Sequence, residues 1–259
     1  MKISIMWMTR KRSHELIYSL SSFIMRAKDN SNVEYIVISD PDDEETYEAV
    51  DKVSRMCFVD DANIENLVSD KRYGYEELEQ YQNIVGEVFT GDCLFIMNDD
   101  VVCLNEGWDE EIRNILKPHV EDARWIGLAG VNENWKGSTT FVGINRKWYE
   151  VTKRVSGNRA TDGYIMALGK KLGIDPLRPK VEMVHLQRGR ETVTFERNNK
   201  RYITDGLPDD GLGGYPTKSP KPPKYYHDPN EFTNNYTDFV EGKKRFDNDF
   251  KKLKEHYAE

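Results

Sequence analysis

Residues 82–101, QNIVGEVFTGDCLFIMNDDV, decide how this chain is read. The apolar run CLFIM, 93–97, is preceded by Gly91 and Asp92 and ends on Asn98, Asp99 and Asp100. A continuous apolar run of this length, bounded by turn residues, fits a strand buried on both faces, the kind found in parallel sheets. Just upstream, EELEQYQNIVGEVF (76–89) has helical apolar spacing, and Gly91 closes it.

The same alternation extends in both directions. KISIMWMT (2–9) and VEYIVISD (33–40) read as strands, and Leu16, Ile17, Leu20 and Ile24 recur at helical spacing behind a cap at Ser13. The turn DPDDEET leads into a helix expected over 46–53, and RMCFVDD (55–61) reads as a short third strand. Downstream, a helix is expected from Asp109 to Leu116, a strand at WIGLAGV (125–131) and a helix at DGYIMALGKKLG (162–173). VEMVHLQ (181–187) and ETVTFE (191–196) are short alternating segments. Strands alternating with helices predict an α/β fold with a parallel sheet, and such sheets bind ligands beyond the carboxyl ends of their strands. Thr9, Asp40 and the Asn98-Asp99-Asp100 turn all fall at such ends.

Residues 205–230 change character, being rich in Gly and Pro, and read as a lid or linker. Phe246, Phe250, Leu253 and Tyr257 then make one apolar stripe of a final helix. The chain thus divides into a main domain, 1–204, and a C-terminal lid or linker with its helix, 205–259.

A net charge of −8 disfavours indiscriminate binding to nucleic acid, which relies on basic side chains displacing phosphate counterions. No stretch approaches the roughly 20 apolar residues of a membrane span, and the start MKISIMWMTRKR turns basic after its apolar run, the reverse of a signal peptide. Cys57, Cys93 and Cys103 form neither an even disulfide set nor a metal-binding pair, so a reducing cytoplasm is expected.

On its own, an acidic turn such as Asp99-Asp100 reads as a solvated cap. The alternative is a divalent-cation site, because hard cations such as Mn²⁺ or Mg²⁺ take carboxylate oxygens and need few protein ligands when a substrate brings phosphates. The wider motif pattern resembles GT-A glycosyltransferases of the large inverting family related to cellulose and chitin synthases. Asn83, Gly91 and Asp100 match its helix asparagine, its glycine and the last position of its DxD motif. SIMWMTRKR and YIVISDPDDEET are similar to its first two strands, TDGYIMALGKKLG to its ED motif, and VEMVH to the strand ending in a metal-binding His. The resemblance covers roughly residues 2–190. The chain departs from it at Asn98, the first DxD position; at Met8, where Pro is usual; and at Thr161, where the Glu of the ED pair stands.

The resemblance implies a mixed, mostly parallel, Rossmann-like GT-A sheet flanked by helices. It also implies transfer of a sugar from a nucleoside-diphosphate sugar, most simply a UDP-sugar, to an acceptor hydroxyl by a single inverting displacement. Asp100 and His185 would hold Mn²⁺ or Mg²⁺, and Asp162 would be the general base. Asp40, with Thr9 and Arg10, would line the nucleoside pocket, joined by Asn83, Asn98 and Asp99, while Arg188 and Arg190 would pair with the diphosphate. Each has an ordinary alternative: His185 as a structural residue, Asp162 as a helix cap, and Asp42 and Asp43 as a solvated acidic helix start. Trp135 is a candidate for acceptor contact and Trp148 for the core.

The acceptor stays open among a glycan, a protein, a small molecule and a modified DNA base. Compact members of this kind occur in bacteriophages, and Lys218, Lys221 and Lys224 beside Tyr225 and Tyr226 form a small basic, aromatic patch. Two competing readings are a nucleotidyltransferase, which lacks support because no Gly-rich phosphate loop follows the first strand, and a non-catalytic nucleotide- or glycan-binding module.

Overall fold

The structure is a computed structural model that describes residues 1–56, 62–74, 77–131, 139–186, 192–197, 200–205 and 240–258. Expectations for Arg188, Arg190, Trp135, the 205–230 segment beyond Asp205 and its lysine patch lie outside the described residues.

Six strands form the central sheet: β1 (Ile3–Met8), β2 (Val33–Ser39), β3 (Asn63–Val68), β4 (Cys93–Asn98), β6 (Trp125–Leu128) and β7 (Phe141–Asn145). Their order is β3-β2-β1-β4-β7-β6. The first four are mutually parallel; β7 runs against both β4 and β6, so the sheet is mixed and mostly parallel. Neither β7 nor its reversed direction was foreseen, because FVGIN is short, sits behind a Gly-rich stretch and carries no local mark of direction. The third strand also lies elsewhere than expected: Arg55 and Met56 end helix α2 (Glu44–Met56), and β3 begins at Asn63. β3 is an edge strand with several exposed positions, so it lacks the apolar run that marks its neighbours.

Alternation along each strand divides the interior between the two faces of the sheet. Ile3, Ile5 and Trp7, Val33, Tyr35 and Val37, and Cys93, Phe95 and Met97 face α1 (Ser13–Arg26), α2 and α4 (Trp108–Leu116). Met6, Ile36, Ile38, Leu94 and Ile96 face α3 (Leu78–Val88), α5 (Arg146–Thr152), α6 (Thr161–Leu172) and the final helix α7 (Val240–His256). Each large side chain so buried contributes about 1.5–3 kcal/mol of transfer free energy. Buried indoles keep their polar atoms satisfied: Trp7 Nε1 donates to Ser19 Oγ at 2.8 Å and Trp108 Nε1 to the Phe23 carbonyl at 2.8 Å. Trp148 is a core residue, as expected.

The α3–β4 connection shows why Gly stands at 91. Its amide donates to Ser4 Oγ at 2.9 Å, and a Cβ there would lie 2.6 Å from the Ser4 backbone nitrogen. In α1, Ser13 is the first helical residue and Arg12 holds the cap position without a side-chain cap bond, so the cap expected at Ser13 is not made. Two further strand pairs lie outside the main sheet. β5 (Val101–Cys103) pairs antiparallel with β8 (Met183–His185), and β9 (Thr192–Arg197) with β10 (Lys200–Asp205). Among the described residues no helix is long and apolar enough to cross a membrane.

Candidate active site

β4 delivers Asn98, Asp99 and Asp100 to the carboxyl edge of the sheet, beside the end of β1, in a register that sets Met8 opposite Asn98. Asn98 is exposed there, whereas Asp99 and Asp100 are 2% and 7% exposed. Two buried carboxylates side by side are costly unless each finds a partner. They find different ones.

Asp99 turns towards the first strand. Thr9 Oγ1 donates to its Oδ2 at 2.9 Å, and Arg12 reaches Oδ1 at 3.1 Å. Burial, reinforced by the neighbouring Asp100 and opposed by Arg12 and Thr9, pushes the Asp99 carboxyl up to about 6. Both its oxygens are engaged by the β1 end, so Asp99 is tied into the scaffold.

Asp100 turns the other way. Antiparallel pairing of β5 with β8 sets Val101 opposite His185, and the Leu186 amide donates to the Asp100 carbonyl at 2.8 Å. His185 Nε2 therefore stands 3.3 Å from Asp100 Oδ1. Burial penalises the Asp100 charge, but His185, with Arg12 and the backbone beside it, holds the carboxyl below the usual carboxylate range. Asp100 Oδ1 is buried and lacks an aligned hydrogen-bond partner among the described residues. A buried carboxylate oxygen and an imidazole nitrogen converging in this way fit Mn²⁺ or Mg²⁺ completed by phosphate oxygens. Among the described residues no cluster of three or more His, Cys, Asp or Glu offers a complete protein cage.

At the end of β2, Asp40 is 2% exposed and is held from two sides. The Tyr81 hydroxyl donates to Oδ1, and Arg10 donates to Oδ2 at 2.5 Å. Arg10 also grips Asp42 with two nitrogens, at 2.6 and 2.9 Å, which drops the Asp42 carboxyl to about 2. Asp43 is not the solvated residue expected from its acidic surroundings. It is buried, accepts from the Thr46 hydroxyl at 2.7 Å at the start of α2, and accepts from the Lys11 amide at 2.9 Å. Lys11 has a φ of 51°, and that bend sends Arg10 to the β2 side of the edge and Arg12 to the β4 side.

Three consecutive residues of α3 connect this edge to α6. Tyr81 reaches Asp40, Gln82 accepts from the Thr161 hydroxyl, and Asn83 binds backbone. Asn83 Oδ1 accepts from the amides of Val155 and Ser156 at 2.9 and 3.2 Å, and its Nδ2 donates to the Ser156 carbonyl at 2.9 Å. Its amide thus braces the loop before α6. Thr161, where the family pattern has Glu, is buried, and Asp162 follows in the first turn of α6, half-buried.

Arg12, Tyr81 and Gln82 were not singled out from sequence. Nothing local distinguishes Arg12 from Arg10 in TRKR, and Tyr81 and Gln82 read as ordinary positions of an amphipathic helix.

A mostly parallel α/β sheet with acidic groups at its carboxyl edge belongs to a class of folds that take ligands at that edge. Comparison with solved structures narrows it. A mannosyltransferase of Pyrobaculum calidifontis, in complex with GDP-Man and Mn²⁺, superposes with a TM-score of 0.56 at 12% identity, over 71% of this chain and 56% of that one. Staphylococcus aureus TarS, residues 1–349 in complex with UDP, superposes with a TM-score of 0.51 at 14% identity, over 65% and 54%. The fold is that of GT-A glycosyltransferases, and the chain spans a little over half the length of these two neighbours. No family model matches the sequence. No curated protein matches it either.

Proposed function

We propose that this protein is a glycosyltransferase that moves a sugar from a nucleoside-diphosphate sugar, a UDP-sugar in the simplest case, to an acceptor hydroxyl. The observation that carries the reading is the approach of His185 Nε2 to the buried Asp100 Oδ1, made by strands from distant parts of the chain at the edge where GT-A folds take nucleotides. Solvated acidic turns do not recruit a half-buried histidine by strand pairing.

Asp100 and His185 would hold Mn²⁺ or Mg²⁺, which when bound supplies positive charge against the diphosphate leaving group. The chain's own residues meet the remaining demands. Asp162, in the first turn of α6, takes the acceptor proton as the hydroxyl attacks the anomeric carbon, and a single displacement inverts the configuration. Asp40 and Arg10, locked together, shape the nucleoside side, with Thr9 and the exposed Asn98 at the same edge. Asp99 acts through its bonds to Thr9 and Arg12, and Asn83 through the loop it braces. Arg188 and Arg190 are assigned to the diphosphate by their place in the chain. The acceptor is a glycan, protein, small molecule or hydroxylated DNA base.

A non-catalytic nucleotide-binding module is the competing reading, favoured by Thr161, whose hydroxyl is spent on Gln82. Calorimetry with UDP and GDP, with and without Mn²⁺, on the wild type, Asp100→Ala and Asp162→Asn decides the matter when paired with nucleotide release from UDP-glucose and GDP-mannose. A transferase binds one nucleotide only with the ion. Asp100→Ala lowers that affinity about 10- to 100-fold, by loss of a ligand, and Asp162→Asn keeps binding but loses release. Failure of both nucleotides to bind under either ion condition refutes the donor site.

A further inference from the structure

The helix that ends the described chain is built into the support of α6. Phe246 and Leu253 of α7 are buried in the same core face as Tyr164, Ile165 and Leu168 of α6. Phe246 packs edge-on against Tyr164 with centroids 5.7 Å apart. Such burial accounts for an apolar stripe. It does not account for Asp249, a wholly buried carboxylate on the same stripe.

Asp249 Oδ2 accepts the Tyr164 hydroxyl at 2.6 Å and lies 3.4 Å from Arg154 Nε. Burial raises the Asp249 carboxyl, and burial together with the Asp249 charge raises the Tyr164 phenol, so the pair is costly to keep. The Tyr164 ring in turn closes on Gly157: a Cβ there would stand 2.7 Å from the hydroxyl and 2.8 Å from the ring carbon bearing it. Arg245, one turn before Asp249, spans from Glu79 at 3.3 Å to the Gly157 carbonyl at 3.4 Å, and Lys252 donates to the Thr152 carbonyl at 3.1 Å. Residues 152–157 are thus held by α7 on one side and by Asn83 of α3 on the other. Four residues beyond Gly157, α6 begins, with Asp162 in its first turn.

We propose that Asp249 is a positioning residue for Asp162: through Tyr164 it sets the first turn of α6 against Gly157, so that the final helix fixes where the proton acceptor stands. An apolar residue would pack α7 as well, but it would leave the tyrosine free to rotate away from Gly157 and the α6 start free to shift. A misplacement of about 1 Å at a catalytic group is enough to cost about 100-fold in rate. The inference rests on the transferase reading for what Asp162 does, though the coupling itself is independent of it.

The test compares Asp249→Ala, Asp249→Asn and Tyr164→Phe in the full chain, with Tyr164→Phe serving if Asp249→Ala does not fold. Three quantities are read: hydrogen exchange of amides 156–164 against those of β4, UDP affinity with Mn²⁺, and nucleotide release from UDP-glucose and GDP-mannose. Asp249→Ala and Tyr164→Phe are expected to speed exchange at 156–164 about tenfold or more while β4 is unchanged, as local opening does. They should lower kcat about tenfold or more with UDP affinity within about threefold, and Asp249→Asn, which can still accept from Tyr164, should keep kcat within about threefold. Unchanged exchange at 156–164 in a folded variant overturns the coupling, and a wild-type kcat in Asp249→Ala overturns the positioning role. A wild type that neither binds UDP or GDP nor releases nucleotide sinks the transferase reading and with it the catalytic role of Asp249, while the exchange data still decide the coupling.

Discussion

Arg12 meets Asp99 at 3.1 Å across the gap between the ends of β1 and β4, joining residues that lie 87 positions apart in the chain. The pair settles which of two adjacent aspartates is drawn to the β1 side of the edge. With Asp99 drawn to Arg12 and Thr9, Asp100 alone faces His185.

Removal of Arg12 should therefore harm the scaffold before it harms chemistry. Arg12→Ala leaves a buried carboxylate without its counter-charge. Because the Arg12 side chain is 24% exposed, the expected cost is about 1–2 kcal/mol, less than for a fully buried pair. Urea unfolding midpoints measure it. Arg12→Ala combined with Asp99→Asn should recover at least about 0.5 kcal/mol relative to additivity, since the neutral amide no longer needs the charge. Strict additivity would show that the two residues do not depend on each other.

Gly91→Ala should be among the most damaging small substitutions. The new Cβ would meet backbone, the Ser4 nitrogen at 2.6 Å, and backbone within a central strand cannot move aside as a flexible side chain does. A loss of about 2–3 kcal/mol is expected, at the upper end for overpacking. A thermal midpoint within a degree of wild type would mean that the β1–β4 contact is looser than described.

Glu34 predicts a specific acid sensitivity. It is buried on β2, and although burial opposes its charge, the Ser4 hydroxyl, the Thr90 amide and hydroxyl, and Lys2 together hold its carboxyl below the usual range. A carboxyl lowered in the folded state binds fewer protons there than in the unfolded chain. Its stabilising contribution is complete above the ordinary glutamate pKa of about 4.3 and is lost as pH falls through the lower folded value. Glu34→Gln should then be less stable than wild type at pH 7, with a shallower loss of stability below about pH 4.3. Parallel stability curves for the two proteins across that window would remove Glu34 from the account.

Much of the architecture is legible along the chain because burial imposes local periodicities. Ile3, Ile5 and Trp7 against Met6 declare a strand buried on both faces, and Phe246, Phe250 and Leu253 declare one stripe of a helix; each pattern lies within a few turns of chain. The position of Asp100 directly after CLFIM places it at a sheet edge on the same grounds.

What the letters do not carry is partnership. Asp99 and Asp100 are identical in sequence, and only the fold gives one to Arg12 and the other to His185. The reversal of β7, the pairing of β5 with β8 and the docking of Asp249 on Tyr164 join segments 40–85 residues apart or more. Their physical reason is long-range: a strand's direction is chosen by the neighbour whose hydrogen bonds it completes, and a buried carboxylate's role by whichever donor reaches it. The sequence by itself determined the buried strands β1, β2 and β4, most of the helices and the acidic edge of this protein. Its tertiary structure decided which carboxylate meets Arg12, which meets His185 and which helix packs against α6, because those contacts exist only once distant segments have packed.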